Sequence, residues 1–306
     1  MTPPRTQRTF TPASLARHYD GFLRSLRQKR PETRGTYGRA LREFLRWSPR
    51  IRGRPLTQEG VERYKRHLSD AKALSPVSVS TYLTALRRFC EYLVRAGVLD
   101  ENPARAVGGN SRPRVHSREA LSEPEVEALL ASVDRADERG KRDYAFLHLM
   151  VSCALSEIEI VRADVGDLLI DGGDARLRVQ GKGRVHKDQA VTIGPEVRRT
   201  LQEYLAVRGS VQDDEPLFTS AGNRTRGKRM TTRGVRDRVN IYLEQSGLKR
   251  GIDRRVTPYS LRHTAAALMA RAGATADEIK ARLRLGSVAT AMQYLAQHHQ
   301  QHPPRQ

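Results

Sequence analysis

Residues 104–120 read ARAVGGNSRPRVHSREA, a stretch with a glycine pair, a proline and almost no large apolar side chain. Such a segment cannot bury a core, and its turn-forming composition marks a linker. It lies between two long stretches that carry apolar residues at helical spacing, so the chain is expected to fold as two units. A length of 306 residues suits two domains. The expected division is residues 11–103, a linker over 104–120, a second domain over 121–296 and a polar tail over 297–306.

The charge is unevenly shared. Lys and Arg number 55 against 34 Asp and Glu, a net of +21. Residues 1–103 carry 21 basic and 9 acidic side chains, residues 121–306 carry 30 and 24, and the remaining +3 falls in the linker. That surplus points to a polyanionic partner, nucleic acid or an anionic membrane surface. No run of 18 apolar residues exists and residues 1–11 have no apolar signal core, so no membrane span and no secretion are expected. Cys90 and Cys153 stand far apart in apolar surroundings, which excludes a disulfide framework or a thiolate metal site and fits a cytoplasmic location.

Residues 11–103 read as helices throughout. Leu15, Tyr19, Phe22, Leu23 and Leu26 fall at helical spacing, as do Tyr37, Leu41, Phe44 and Leu45, then Val61, Tyr64 and Leu68. A fourth helix opens at Ser75-Pro76, buries Tyr82, Leu86, Phe89 and Leu93, and stops at Gly97. Arg39, Arg42, Arg87 and Arg88 interleave with these stripes on outer faces, where the charge imbalance favours a phosphate-facing role over a plain solvated surface. The second domain opens with a capping box, Ser122 to Glu125, and continues with a buried helix around Tyr144 to Leu155. Strands are predicted over Ala175 to Gln180 and Val185 to Ile193, joined by a tight turn at Gly181-Lys182-Gly183 that projects one ammonium. Helices follow over Glu196–Val207, Thr232–Gln245, Ser260–Ala270 and Thr275–Leu283, and a last one ends near Tyr294. Arg224, Arg226, Lys228 and Arg229 form a basic loop suited to DNA, or an ordinary solvated one.

In this order the elements resemble the tyrosine recombinases, the phage-integrase and Xer family, over nearly the whole chain. The resemblance rests on TRGTY at Thr33 to Tyr37, LSP at Leu74 to Pro76, GVLDENP at Gly97 to Pro103, the Gly-Lys-Gly turn, TPYSLRHT at Thr257 to Thr264, and Tyr294, 32 residues after Arg262. It implies a mainly α, two-domain fold, a helical SAM-like core-binding domain followed by an α+β catalytic domain with a small β-hairpin or sheet. It implies double-stranded DNA as partner and site-specific recombination or integration through a 3′-phosphotyrosine. A tyrosine hydroxyl attacks the phosphodiester, two arginines and one or two histidines hold the nonbridging oxygens, and a lysine protonates the departing 5′-oxygen. No cofactor and no metal are implied. Family members act as tetramers on two duplexes, so homo- or hetero-oligomers on DNA are expected, with the chain monomeric when free.

Carried over by position, the hairpin lysine is Lys182, the second arginine Arg262 and the nucleophile Tyr294. Three positions depart from the pattern. The first arginine is replaced by Ser156, the histidine before Arg262 by Tyr259, and the histidine or tryptophan nine residues before the nucleophile by Leu285. Serine is too short and uncharged for a bidentate grip on phosphate, and leucine donates no hydrogen bond. Since losing one preorganised donor costs roughly 10² to 10³ in rate, impaired cleavage is expected. Arg162 or Arg284 are the candidate substitute cations, and His263 is either a part of the site or a packing residue. His298, His299 and His302 read as a polar tail rather than a metal site. Three functions compete: a recombinase cutting through Tyr294, a non-catalytic DNA-binding accessory or regulatory protein on the same scaffold, and a basic RNA-binding or membrane-surface protein. The absence of an aromatic-rich sheet and of a basic amphipathic anchor argues against the third.

Overall fold

In a computed structural model of the chain, the described residues are 12–29, 31–50, 55–109, 119–181, 184–222, 224–249 and 256–301. The chain forms two compact units, Met1–Pro113 and Arg114–Gln306.

The first unit is helical: α1 (Pro12–Ser25), α2 (Pro31–Trp47), α3 (Gln58–Arg66), which runs on as a π-helical turn over His67–Ala71, and α4 (Pro76–Arg95). Local chemistry sets these bounds. The Thr57 hydroxyl accepts from the Gly60 amide at the start of α3, and Ser75 caps α4 with Pro76 in its first turn, each such cap contributing about 1 kcal/mol. The apolar stripes meet in one core, where Phe22 packs edge-on against Phe89 at 5.5 Å and Phe44 against Tyr64 at 5.0 Å. The core reaches further along the chain than the linker composition predicts. Ala104 and Val107 are buried in it, and Arg87 donates to both their carbonyls, at 3.2 and 3.1 Å. Residues 104–109 therefore belong to the first unit.

The second unit comprises α5 (Glu123–Ala131), α6 (Glu138–Ser152), α7 (Glu157–Arg162), β1 (Leu168–Asp171), β2 (Asp174–Val179), β3 (Gln189–Thr192), α8 (Pro195–Arg208), α9 (Thr232–Gln245), α10 (Pro258–Arg271), α11 (Ala276–Leu283) and α12 (Val288–Gln301). The strands form an antiparallel sheet in the order β1-β2-β3. Its main core packs α6 and α8 against the sheet through Phe146, Leu149, Leu177, Val191, Leu201 and Phe218. A separate small core joins α10, α11 and α12 through Ala265, Ala266, Ala270, Ile279, Leu283, Ala291 and Tyr294, with Ala154 between them.

Several expectations are corrected. The two-residue turn of the sheet is Gly172-Gly173, where Asp171 pairs with Asp174, and Gly172 takes φ +54°. The segment around Gly181 is instead a long connection, since Val179 pairs with Gln189 and residues 185–188 are not strand. Lys182 lies outside the described residues. The buried helix α6 starts earlier than expected, behind an Asp137 cap, and ends before Leu155. Two elements were not predicted, α7 and β1. Tyr294 does not end the last helix, because α12 continues through residues expected to be a polar tail as far as Gln301. The His298, His299 and His302 side chains lie outside the described residues. No helix among the described residues is long and apolar enough to cross a membrane.

Candidate active site

The site is built around a short loop and one carboxylate. After α6 the chain turns through Ala154, which takes the left-handed φ of +53°, and enters α7 with Ser156 as N-cap. Ser156 and Glu159 form a reciprocal capping box. The Ser156 amide and hydroxyl both donate to Glu159 Oε2, at 2.8 and 2.7 Å. Position 156, where the resemblance implies an arginine, thus carries a helix cap whose hydroxyl is spent on its own helix.

Two guanidiniums close on the same carboxylate. Arg262, in α10, donates from Nη1 to the Ala154 carbonyl at 2.7 Å and to Glu159 Oε2 at 3.0 Å, and from Nη2 to the Leu283 carbonyl. Arg284, the residue after α11, donates from Nε to Glu159 Oε1 at 2.6 Å, and from Nη2 to Glu159 Oε2 at 3.0 Å and the Ala154 carbonyl at 2.9 Å. It does so from a left-handed φ of +52°, a conformation that costs a non-glycine residue about 1–3 kcal/mol. Ala154 bears the same cost, so the two non-glycine residues at positive φ among the described residues of this unit stand at one spot. Glu159 is buried, which alone raises a carboxyl, but the Arg284 hydrogen bond and charge and the Arg262 charge hold it below the usual range. Burial lowers Arg262 from its ordinary value, Glu159 opposes this, and the nearby Arg284 charge adds to it. Of the two candidate substitute cations, only Arg284 reaches this cluster. Arg162 donates instead to the Gly181 carbonyl at 3.1 Å and to that of Gln180, at the base of the segment that carries Lys182.

Beside the cluster, the Tyr294 hydroxyl lies 2.8 Å from Nδ1 of His263, the residue next to Arg262 in α10. Tyr294 is 5% exposed. Burial raises its phenol pKa, the Tyr259 charge adds to the rise, and the Arg262 charge opposes it, so the hydroxyl is neutral at physiological pH. A neutral phenol needs a proton acceptor to attack, and an imidazole at hydrogen-bond distance is the arrangement such chemistry uses. Tyr259 is half-exposed and meets His263 edge-on, ring centres 4.9 Å apart. Leu285 packs against the small core. Tyr294, Arg262, His263, Tyr259, Ser156 and Arg284 are therefore gathered from α7, α10, α12 and the turn after α11. Among the described residues no group of three metal-ligating side chains exists.

The basic side chains expected to face DNA divide into two kinds. Arg39, Arg42 and Arg88 are exposed; Arg39 and Arg88 bond within their own helices, to Thr36 and Glu91, and Arg42 reaches across to Tyr19 of α1. Arg224, Arg226 and Lys228 are exposed on a loop closed by pairing of Thr219 with Arg229. Arg87 and Arg229 are committed elsewhere, Arg87 to the carbonyls named above and Arg229 to the Val161 and Ala163 carbonyls and Asp164. A cleft of about 510 Å³ in the first unit, between α1 and α2, is lined by Arg24, Arg27, Arg34 and Arg42 with Asp20 as its one acid. The packing of α1 beside α2 brings these four cations to one space.

The phage integrase family matches residues 119–301, and the phage integrase SAM-like domain matches residues 14–109. Tyrosine recombinase XerC of Pelobacter propionicus is 30% identical over 278 residues, covering 89% of this chain and 87% of that protein. Tyrosine recombinase XerC of Haemophilus influenzae is 30% identical over 302 residues, covering 95% of this chain and 97% of its own. Among solved structures, the XerH site-specific recombinase in a post-cleavage complex with a palindromic difH substrate superimposes with a TM-score of 0.78 at 16% identity, covering 98% of this chain and 97% of that one. A lambda integrase dimer bound to a COC′ core site gives 0.71 at 17% identity, covering 92% and 94%. The mainly helical fold with its small antiparallel sheet is the fold of these structures.

Proposed function

The chain belongs to the phage integrase family of tyrosine recombinases, and on that premise we propose that it binds duplex DNA and breaks and rejoins it through Tyr294, more slowly than relatives with a complete set of donors. The observation that carries this reading is the 2.8 Å contact between the Tyr294 hydroxyl and His263, next in the chain to Arg262. In the proposed step the Tyr294 oxygen bonds to phosphorus as its proton passes to Nδ1 of His263. The phosphorus–O5′ bond breaks, and Lys182 gives the leaving oxygen its proton. Arg262 holds a nonbridging oxygen as negative charge builds. Rejoining runs the same steps backwards, so neither metal nor cofactor is needed. The first unit, with a net charge of +14 over residues 1–113 and its arginine-lined cleft, supplies most of the phosphate contacts. The related XerH structure is bound to a palindromic difH substrate and the lambda integrase dimer to a COC′ core site, which supports assembly on the target duplex. Two free, buried cysteines fit a cytoplasmic location.

The test is trapping on a duplex nicked near the cleavage position, so that the cut strand diffuses away. A covalent protein–DNA band is expected to accumulate slowly, and Tyr294→Phe is expected to abolish it. Binding should weaken steeply with salt. A second reading, a non-catalytic DNA-binding accessory or regulatory protein, draws on the burial of Tyr294 in an apolar cluster. Salt-sensitive duplex binding with no covalent band would establish that second reading in place of the first.

A further inference from the structure

We propose that Arg284 is the second phosphate-binding guanidinium of this site, supplying the cation that position 156 lacks. The inference rests on cleavage through Tyr294 and deepens it by naming what completes the grip on the phosphate.

Three observations converge. First, Arg284 and Arg262 share acceptors. Both donate to Glu159 Oε2 and both to the Ala154 carbonyl, so the two planar groups are neighbours, as a pair gripping one phosphate must be. Second, the charges do not cancel. Two guanidiniums face one carboxylate, and all three side chains are nearly buried, at 11% exposure for Arg262, 4% for Arg284 and 3% for Glu159. A charge of +1 is left where water screens it little, beside the tyrosine hydroxyl, and an anion entering there relieves the repulsion between the two arginines. Third, donors remain. A guanidinium has five N–H bonds. Arg284 engages four acceptors, namely both Glu159 oxygens and the Ala154 and Arg282 carbonyls, and Arg262 engages three. With the acceptors of the described residues counted, three N–H bonds are left between them for nonbridging oxygens. Ser156 offers nothing comparable, since its hydroxyl caps α7. The left-handed backbone at Arg284 is what such a device requires, because the residue leaves α11 and still returns its side chain to α7, 125 positions earlier.

The test uses the full chain and the nicked duplex. Arg284→Ala is expected to slow covalent trapping by about 100-fold or more, with duplex binding retained. Arg284→Gln, which keeps hydrogen-bonding N–H groups and removes the charge, should lose nearly as much and serves if the alanine variant does not fold. Adding Ser156→Arg to either should restore at least tenfold, because a cation returns to the same carboxylate from the other side. On a duplex whose scissile phosphate is an uncharged methylphosphonate, the deficit should shrink to under about tenfold. A structural brace would give a deficit equal on both substrates and unmoved by Ser156→Arg, and that result overturns the proposal. Wild-type rates in both Arg284 variants would overturn it as well while leaving Tyr294 cleavage standing. No covalent band from the wild-type chain on either substrate would remove the cleavage reading itself, and this inference with it.

Discussion

Two buried carboxylates of the second unit, Asp143 and Glu159, are each bracketed by two guanidiniums, and the two clusters differ in how they are held. At Asp143, Arg142 donates from Nε and Nη2 to Oδ1 at 2.8 and 2.6 Å, and Arg238 donates from Nε to Oδ2 at 2.6 Å. The Tyr242 hydroxyl adds a bond to Oδ2 at 2.9 Å, and the Thr219 carbonyl takes Arg142 Nη1 at 2.8 Å. Every side chain of the quartet at its centre, Arg142, Asp143, Arg238 and Tyr242, comes from the interior of α6 or α9, with ordinary backbone. At Glu159 the count of charges is the same, but of its partners only Arg262 stands inside a helix, whereas Ala154 lies in a loop and Arg284 at a helix end, and both of these sit at positive φ. A buried brace is assembled where helices already hold their residues in place. Strain is tolerated where something besides stability is selected, and here the neighbour is Tyr294.

That contrast can be broken in three ways. The largest effect is expected at the brace. Asp143→Ala leaves two buried or half-buried guanidiniums without their anion and should cost about 3–5 kcal/mol, read from urea denaturation of the full chain; a loss under about 1 kcal/mol would mean that the cluster braces nothing. Smaller is the effect of Glu159→Gln at neutral pH, about 1–3 kcal/mol, and it should depend on pH. The folded Glu159 carboxyl titrates below its ordinary value of 4.5, so the unfolded chain takes up its proton first. Its contribution is present above that value and lost as pH falls towards the lowered one. Denaturation midpoints of wild type and Glu159→Gln, separate at pH 7, should converge below about pH 4.5. Parallel curves down to pH 3 would contradict the ion cluster. The smallest effect is a paired glycine test. At Ala154 the relief of positive φ offsets the lost methyl group, and Ala154→Gly should leave stability within about 0.5 kcal/mol. Ala145→Gly, in the interior of α6, should cost about 1 kcal/mol or more. Equal losses at both positions would show that Ala154 carries no strain.

The parts legible in the sequence were those fixed by neighbours a few residues away. Thr231 and Thr275 cap α9 and α11 at the expected starts because each hydroxyl accepts from an amide three residues on. The same spacing stands at Ser156 and Glu159, three apart, so position 156 both departs from the arginine that the resemblance implies and carries a cap. The sheet was half legible. The tight turn expected at Gly181-Lys182-Gly183 stands instead at Gly172-Gly173, because register between strands, which composition does not encode, decides it. Arg162 and Arg284 are equally basic in the sequence. Only the fold separates them, since the contact of Arg284 with Glu159 spans 125 residues and starts from a backbone angle that nothing near Arg284 announces.

The core around Tyr294 is made largely of alanines, and this bears on how firmly the last helix is fastened. Among the described side chains of α12, only Ala291 and Tyr294 are buried, whereas α4 buries seven. A buried alanine withdraws about one methyl group from water, roughly 0.8 kcal/mol, against about 1.5–3 for a leucine or phenylalanine. Peeling α12 from α10 and α11 therefore exposes little apolar surface beyond the tyrosine ring and parts the His263 hydrogen bond. Local opening of this kind draws on a small fraction of the stability of the whole unit. The helix that carries the hydroxyl rests on few large apolar side chains among those described, whereas the guanidiniums that would meet the phosphate are held by several hydrogen bonds each.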